Sequence, residues 1–302
     1  EFMVLRSLSD LKGIVAGKPV RKLVLAVAQD QNCLSAVLRA WKDGIIEPIF
    51  IGDRDGIHTI CSEFGYDISG ISIIHEPDID GAVEKSVKML SGKQADILMK
   101  GKVGTAKLLK AVLHREWGLR TGNLLSHIAV FEVGTYHKLI AVTDVAMNIA
   151  PNLKDKIAIV NNSVAFLNRL GYEMPKVAVL GAVEMVNENM EATLDAALLS
   201  KMNQREQIRN CIIDGPLAFD NAVSIESAKH KGIRSEVAGD TDLLLMPDIE
   251  VGNVLYKSLV FFAQAKVASM ILGAQVPIVL TSRSDSEQAK YDSILLAAAS
   301  SK

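Results

Sequence analysis

The chain reads as an α/β protein built on parallel sheet, and three observations predict this. Apolar runs of strand length, rich in Val, Ile and Leu, recur along the sequence, and segments with helical spacing of apolar residues separate them. Polar turns follow several of the runs, at the place where a parallel sheet presents its ligand-binding loops.

In chain order, residues 23–27 form the first expected strand, followed by a helix over about 32–43. Strands at 48–51 and 71–74 precede a helix at 81–90, and a strand at 95–99 leads through Lys100-Gly101-Lys102-Val103-Gly104-Thr105 into a helix at 108–114. Crossovers of this kind return strands in the same direction, so the expected sheet is parallel. After Arg120-Thr121-Gly122, residues 127–131 and 139–142 are further strands. Ile157, Val160, Val164 and Leu167 share one helical face, on a helix expected to stop near Gly171. A strand at 177–180 is followed by a helix whose apolar face holds Met190, Leu194, Ala197 and Leu198. Ile212-Ile213, a helical region at 224–230, a strand at 243–246, the run 254–263, a strand at 277–280 and an alanine-rich helix at 293–300 complete the series.

Composition narrows the class. The 302 residues are 49% hydrophobic and 23% charged, with room for a large apolar core in about two domains. Collagen-like, mucin-like and disordered chains have other compositions. Against 33 Lys plus Arg stand 35 Asp plus Glu, a net charge of -2, which predicts no extended nucleic-acid or anionic-membrane surface. The most apolar stretch, 259–280, is interrupted by Gln264, Lys266 and Gln275 and is not expected to span a membrane. Cys33, Cys61 and Cys211 are too scattered for a CxxC pair or a metal cluster, and read as small core residues of a reducing compartment. The opening Glu1-Phe2-Met3 shows no basic segment leading into a secretory core, so the expected location is cytoplasmic.

The polar turns offer several chemistries. In 100–105, glycine permits close backbone approach and either lysine could meet phosphate, although neither Walker nor dinucleotide spacing is present and an ordinary strand-to-helix turn is the alternative. Arg120 and Thr121 could bind an oxyanion with Ser126 nearby, or cap a domain junction. His127 opens an apolar segment and is as readily structural as catalytic, and no HExxH or other zinc pattern occurs, so no metal is expected. Asp144 and Asp214 end apolar runs, where a carboxylate can accept a proton, ligate metal or cap a turn; Asp220, Asn253 and Lys257 extend the polar set. Thr281-Ser282-Arg283-Ser284-Asp285-Ser286 gathers hydroxyls and an arginine at a strand end, suited to phosphate or to charge developing during acyl transfer, without a GxSxG elbow.

Taken together and in order, Met99-Lys100-Gly101 with Thr105, Leu125-Ser126-His127, Val142-Thr143-Asp144, the DGPLAFD run from Asp214 to Asp220, Ala238-Gly239-Asp240, the PDIEVGN run from Pro247 to Asn253 with Lys257, and Thr281-Ser282-Arg283-Ser284 resemble the phosphate acetyltransferase and phosphate butyryltransferase family. The resemblance covers about residue 95 to the C-terminus. It implies an isocitrate/isopropylmalate-dehydrogenase-like two-domain α/β fold with an interdomain active cleft. The first domain would be discontinuous, 1–123 and 273–302, with 124–272 inserted as the second. It implies a homodimer or higher homo-oligomer and reversible acyl transfer between coenzyme A and inorganic phosphate, with acyl-CoA as a substrate rather than a tightly bound cofactor.

By the same resemblance Ser282, Arg283, Arg120 and Asp214 are the expected catalytic residues. Lys100, Gly101, Thr105, Thr121 and Ser284 would bind phosphate, and Ser126, His127, Asp144, Asp220, Asn253 and Lys257 the CoA or acyl group. The acidic residue that acetyltransferase members carry seven positions after the serine is Ala289 here, so Asp285, Glu287, Asp214 and Asp220 all remain candidate bases. That departure, the compact length and the LLSH segment point to the butyryltransferase branch and a butyryl or branched acyl group. Acetyl transfer, a metal-dependent dehydrogenase of related fold and a non-enzymatic CoA-binding protein are the competing readings.

Overall fold

The computed structural model describes residues 4–282 and 285–301. The chain divides into two compact units, a terminal unit of residues 9–123 and 268–301 and a central unit of residues 4–8 and 124–267.

The first segment of the terminal unit runs α1 (Leu11–Ala16), β1 (Arg21–Ala26), α2 (Gln31–Lys42), β2 (Ile46–Gly52), α3 (Arg54–Phe64), β3 (Ser72–His75), α4 (Ile79–Ser91), β4 (Ile97–Lys100) and α5 (Thr105–Val112). Three of its strand-to-helix turns end in an aspartate that caps the helix: Asp30 accepts from the Cys33 N–H, Asp53 from Asp55 and Asp78 from Gly81. Strands β1, β2, β3 and β4 pair in parallel. Helix α3 escapes hydrophobic patterning because only Ile57 and Cys61 of its residues are buried, too few to write a helical period.

The central unit runs β5 (Ser126–Glu132), β6 (Ile140–Thr143), α6 (Leu153–Arg169), β7 (Lys176–Leu180), α7 (Glu191–Gln204), β8 (Ile212–Leu217), α8 (Phe219–Val223), α9 (Ile225–His230), β9 (Leu243–Leu245) and α10 (Ile249–Phe261). Its strands lie in the order β5-β6-β9-β7-β8, with β6, β9, β7 and β8 parallel. Asn152 and Asp155 exchange side-chain and backbone bonds in a capping box that starts α6. Where β6, β7 and β9 begin, Asp240 accepts from Lys176 at 2.6 Å, Lys138 at 2.9 Å and His137 at 2.8 Å, while Lys138 also meets Asp242 at 2.6 Å. The aspartate of the Ala238-Gly239-Asp240 match therefore ties strand starts together, at the edge opposite the loops that follow the strands.

The chain returns to the terminal unit through β10 (Lys266–Leu272), β11 (Ile278–Val279) and α11 (Glu287–Ser300), giving the strand order β3-β2-β1-β4-β11-β10. Helix α11 is buried from Lys290 to its end; Tyr291 lies under the Arg39 guanidinium, 4.0 Å from the ring centre, and its hydroxyl reaches Asp43. The all-parallel expectation needs correcting at two places, since β5 runs antiparallel to β6 and β10 to β11. Both pairs have short connections without a crossover helix, and such connections join antiparallel neighbours. The apolar stretch 259–280 is the end of α10, then β10, a turn and β11; no described helix is long and apolar enough to cross a membrane.

Candidate active site

In the terminal unit, β4 and β11 are parallel neighbours, with Leu98 opposite Ile278 and Met99 opposite Val279. Their C-terminal ends therefore deliver residues 100–105 and 280–285 to one sheet edge. The first loop turns at Gly101, whose backbone presses against β1: a Cβ there would lie 2.2 Å from the Val27 carbonyl oxygen and 2.7 Å from that of Ala26. Lys100 is buried, and its ammonium donates to the Gly101 and Val103 carbonyls at 3.3 Å each, bracing the loop from inside. Thr105 is exposed on the first turn of α5.

Ser282 follows β11 and is exposed. Its N–H donates to the Asp285 carboxylate at 2.6 Å and its carbonyl accepts from the Asp285 N–H at 3.2 Å, tying Ser282 to Asp285 before α11. Arg283 and Ser284 lie outside the described residues.

Arg120 and Thr121 enter the terminal unit differently. Arg120 bridges Ala274, the Gln275 side chain donates to its carbonyl at 3.1 Å, and the Thr121 hydroxyl donates to Gly273 at 2.6 Å. The backbone of 120–121 is thus tied to the turn leading into β11, whereas Ser282 leaves the other end of that strand. Both residues are exposed. The Thr121 hydroxyl also accepts the Asn123 N–H, so it serves its own turn.

In the central unit, Asp144 is 2% exposed and collects four donors: the N–H groups of His127 (3.2 Å), Ala146 and Met147 (2.9 Å each), and the Asn148 amide (2.6 Å). This carboxylate organises the loop after β6. His127 is buried; its N–H goes to Asp144 and its carbonyl accepts the Thr143 hydroxyl. Ser126, fully buried, accepts from the Asn162 amide at 3.0 Å. The PDIEVGN run packs on the same loop: a Cβ on Gly252 would lie 2.3 Å from the Asp144 carbonyl oxygen, and the Asn253 amide points at the Val145 carbonyl at 3.4 Å. Lys257, one turn on, lies 5.4 Å from the centre of the Tyr256 ring.

Asp214 and Asp220 part company. Asp214 lies half-buried on β8, the edge strand, opposite Ala178, and accepts from the adjacent Gly215 N–H at 2.8 Å. Asp220 sits on α8 in a surface network, bonded to the Ser227 hydroxyl at 2.6 Å and 3.7 Å from Lys231, which also pairs with Glu184. The Ser227 hydroxyl foremost, with Lys231, holds its carboxyl below the usual range despite slight burial.

Among the described residues, no group of three or more His, Cys, Asp or Glu side chains is arranged to hold a metal. Burial pushes the thiols of Cys33 and Cys211 up to about 12. Sequence reasoning missed Asn148, Asn162 and Lys290, the side chains that support Asp144, Ser126 and the Ser282 turn.

Comparison with known proteins gives consistent matches. Residues 79–298 match the family model described as phosphate acetyl/butaryl transferase. The chain is 48% identical over 295 residues to a phosphate butyryltransferase from Clostridium acetobutylicum, covering 98% of each chain. It is 46% identical to a phosphate acetyltransferase from Thermotoga maritima, covering 92% of this chain and 94% of the relative. A crystal structure of a branched-chain phosphotransacylase from Enterococcus faecalis superposes with a TM-score of 0.82 at 33% identity, covering 93% of this chain and 99% of the other.

Proposed function

The chain belongs to the phosphate acetyl/butaryl transferase family, and from that premise we propose that it catalyses reversible transfer of a short acyl group between coenzyme A and inorganic phosphate, with butyryl or a branched analogue as the preferred group. The observation that carries the reading is the 48% identity to a phosphate butyryltransferase along 98% of both chains. A phosphate oxygen attacks the thioester carbonyl carbon, the new C–O bond forms as the carbonyl electrons move to oxygen, and collapse breaks the C–S bond. The products are an acyl phosphate and the CoA thiolate, with no bond to the protein required.

Ser282 supports this chemistry as a hydroxyl donor at the sheet edge shared with the Lys100–Thr105 loop, and Arg283 is assigned the phosphate or oxyanion beside it. Lys100 acts by holding its loop, since its ammonium is directed at loop carbonyls. Gly101, Thr105 and Ser284 are assigned to phosphate with it; the guanidinium of Arg120, whose backbone is anchored at the opposite end of β11, would have to reach along that strand to meet the same anion, and the Thr121 hydroxyl, bonded to Gly273 and Asn123, would act through its turn. For proton transfer with the CoA thiol, Asp214 is the favoured carboxylate. Asp144 has its lone pairs engaged by four donors and Asp220 by a surface network, whereas Asp214 is bonded to its neighbour's N–H. Ser126, His127, Asp144, Asn253 and Lys257 would shape the CoA or acyl region of the central unit, the first four chiefly through the β6 loop.

Val251, Val254 and Phe261 on α10 are 43%, 65% and 71% exposed and spaced along one helix face, with Phe262 beyond them. This stripe supports a homodimer, which light scattering of the purified chain measures directly.

The deciding assay supplies acetyl-, propionyl-, butyryl-, isobutyryl- and valeryl-CoA with phosphate and follows free thiol and acyl phosphate together. We expect phosphate-dependent thiol release with the highest kcat/KM for a four-carbon or branched group. The Thermotoga relative favours acetyl as the second reading. Efficiency that peaks at acetyl, without the gain of about 0.8 kcal/mol that burial of each added methylene brings, would establish it.

A further inference from the structure

Helix α11 carries a lysine where packing asks for none. Lys290 is 2% exposed, at the start of the wholly buried stretch of that helix. An ammonium in such a place costs stability unless its donors are satisfied, and lysine is rarely so buried without a partner. The buried lysines of the central unit follow this rule with carboxylates: Lys156 meets Asp195 and Lys138 meets Asp240 and Asp242. Lys290 instead donates to two main-chain carbonyls, Ser282 and Asp285, at 2.9 Å each. Both belong to the turn after β11. That turn is closed from its other side by the Asp285 carboxylate on the Ser282 N–H and by the Asp285 N–H on the Ser282 carbonyl. The Ser282 peptide is therefore gripped at both ends, its carbonyl from within the unit by Lys290 and its N–H by Asp285.

We propose that Lys290 is a positioning residue for acyl transfer, its ammonium fixing the Ser282 and Asp285 backbone so that the Ser282 hydroxyl is held where the reacting groups need it. The inference rests on the function proposed above. A lysine fits the task because one ammonium can serve two carbonyls that diverge around it. A methionine would fill the same space without the donors.

The test is a double-mutant cycle of Lys290→Met and Ser282→Ala, read by steady-state kinetics with butyryl-CoA and phosphate, with circular dichroism and thermal unfolding of each variant. Lys290→Met is expected to lower kcat about a hundredfold, the order of loss that a misplaced catalytic group produces, with the KM for butyryl-CoA within about threefold of the parent. In the Ser282→Ala background the same change should cost less than about threefold, because the hydroxyl it positions is gone. Lys290→Arg, which keeps charge and donors, should recover part of kcat. A folded Lys290→Met with parental kcat overturns the inference, as does a loss that multiplies undiminished with that of Ser282→Ala, the signature of general damage. If Lys290→Met does not fold, the cycle is run with Lys290→Gln, which removes the charge and keeps a polar side chain, and is read by the same rule. A parent chain that turns over none of the five acyl-CoAs overturns the functional reading itself and this inference with it. An active parent with a parental Lys290→Met overturns only this inference.

Discussion

Asp144 ends β6 in a run that looks, as sequence, like a strand closing on a free carboxylate, yet that carboxylate is saturated by four donors. Asp144→Asn would turn an NH₂ group toward N–H groups that need an acceptor, leaving at least one buried donor unpaired. We expect a loss of about 2–4 kcal/mol in urea unfolding, with activity falling in step with the loop it holds. Asp214→Asn should separate from it, leaving the unfolding midpoint nearly unchanged while lowering the rate from free CoA and acyl phosphate. The cysteines make a third residue-scale case. With burial holding the Cys33 and Cys211 thiols up at about 12, native protein at pH 8 should resist iodoacetamide at both positions, and denatured protein should react at both. Mass mapping of the labelled peptides reads the result.

Helices α6 and α7 are joined by Lys156 and Asp195, 2.6 Å apart and both nearly excluded from water. Asp195→Ala should cost about 3–5 kcal/mol by leaving an uncompensated buried ammonium, whereas Lys156→Met with Asp195→Leu should regain most of that, since a buried pair gives little net stability over apolar packing. Chemical denaturation of the three variants distinguishes a pair that stabilises from one that only must not be broken. This pair was invisible in the sequence because its partners are 39 residues apart on two helices, and nothing local marks either as buried. Elements with strong apolar periodicity were legible: β1, α2, β4 and β7 lie within two residues of where the pattern puts them, whereas α11 begins at Glu287, six residues before the alanine-rich run that marked it. Helix α3 was not, having two buried residues, and β10 was hidden inside the long apolar stretch 259–280, where no local pattern separates it from its neighbours. Strand direction at β5/β6 and β10/β11 depends on connection geometry, which hydrophobic runs do not encode. For the candidate site, the short polar motifs singled out loops, but not which groups within them are spent on the backbone. Asp144 and Lys100 turn inward to hold loops and the exposed Thr121 serves its own turn, and that follows from burial and hydrogen bonding, which the motif does not carry.

At the scale of the molecule, net charge near neutrality leaves pH stability to a few displaced groups. On the acid side Asp240 dominates: burial opposes its charge, but Lys176, Lys138 and His137 together hold its carboxyl well below the usual carboxylate range. Glu132 shifts the same way, burial again opposing, through Lys266, the Leu8 N–H and the Ser7 hydroxyl. The folded state thus releases these protons more readily than the unfolded chain. Their stabilisation is present above the ordinary carboxylate values near pH 4 and is lost as pH falls through that range and below it. On the alkaline side the order reverses. Cys33 and Cys211 keep their protons up to about 12, and burial with Asp240 and Asp242 raises Tyr136, while the unfolded chain starts to lose thiol protons near pH 8.5. Unfolding then releases protons, so stability declines from about pH 8.5 upward and keeps declining toward the folded values. Thermal unfolding midpoints between about pH 3 and 10 should form a plateau from roughly pH 5 to 8 with falls on both sides. Cys33→Ala combined with Cys211→Ala should flatten the alkaline fall while leaving the acid fall in place. Asp240→Asn should do the reverse, at a lower plateau. An alkaline limb that is unchanged in the double cysteine variant would show that the buried thiols do not set the stability of the folded chain above about pH 8.5.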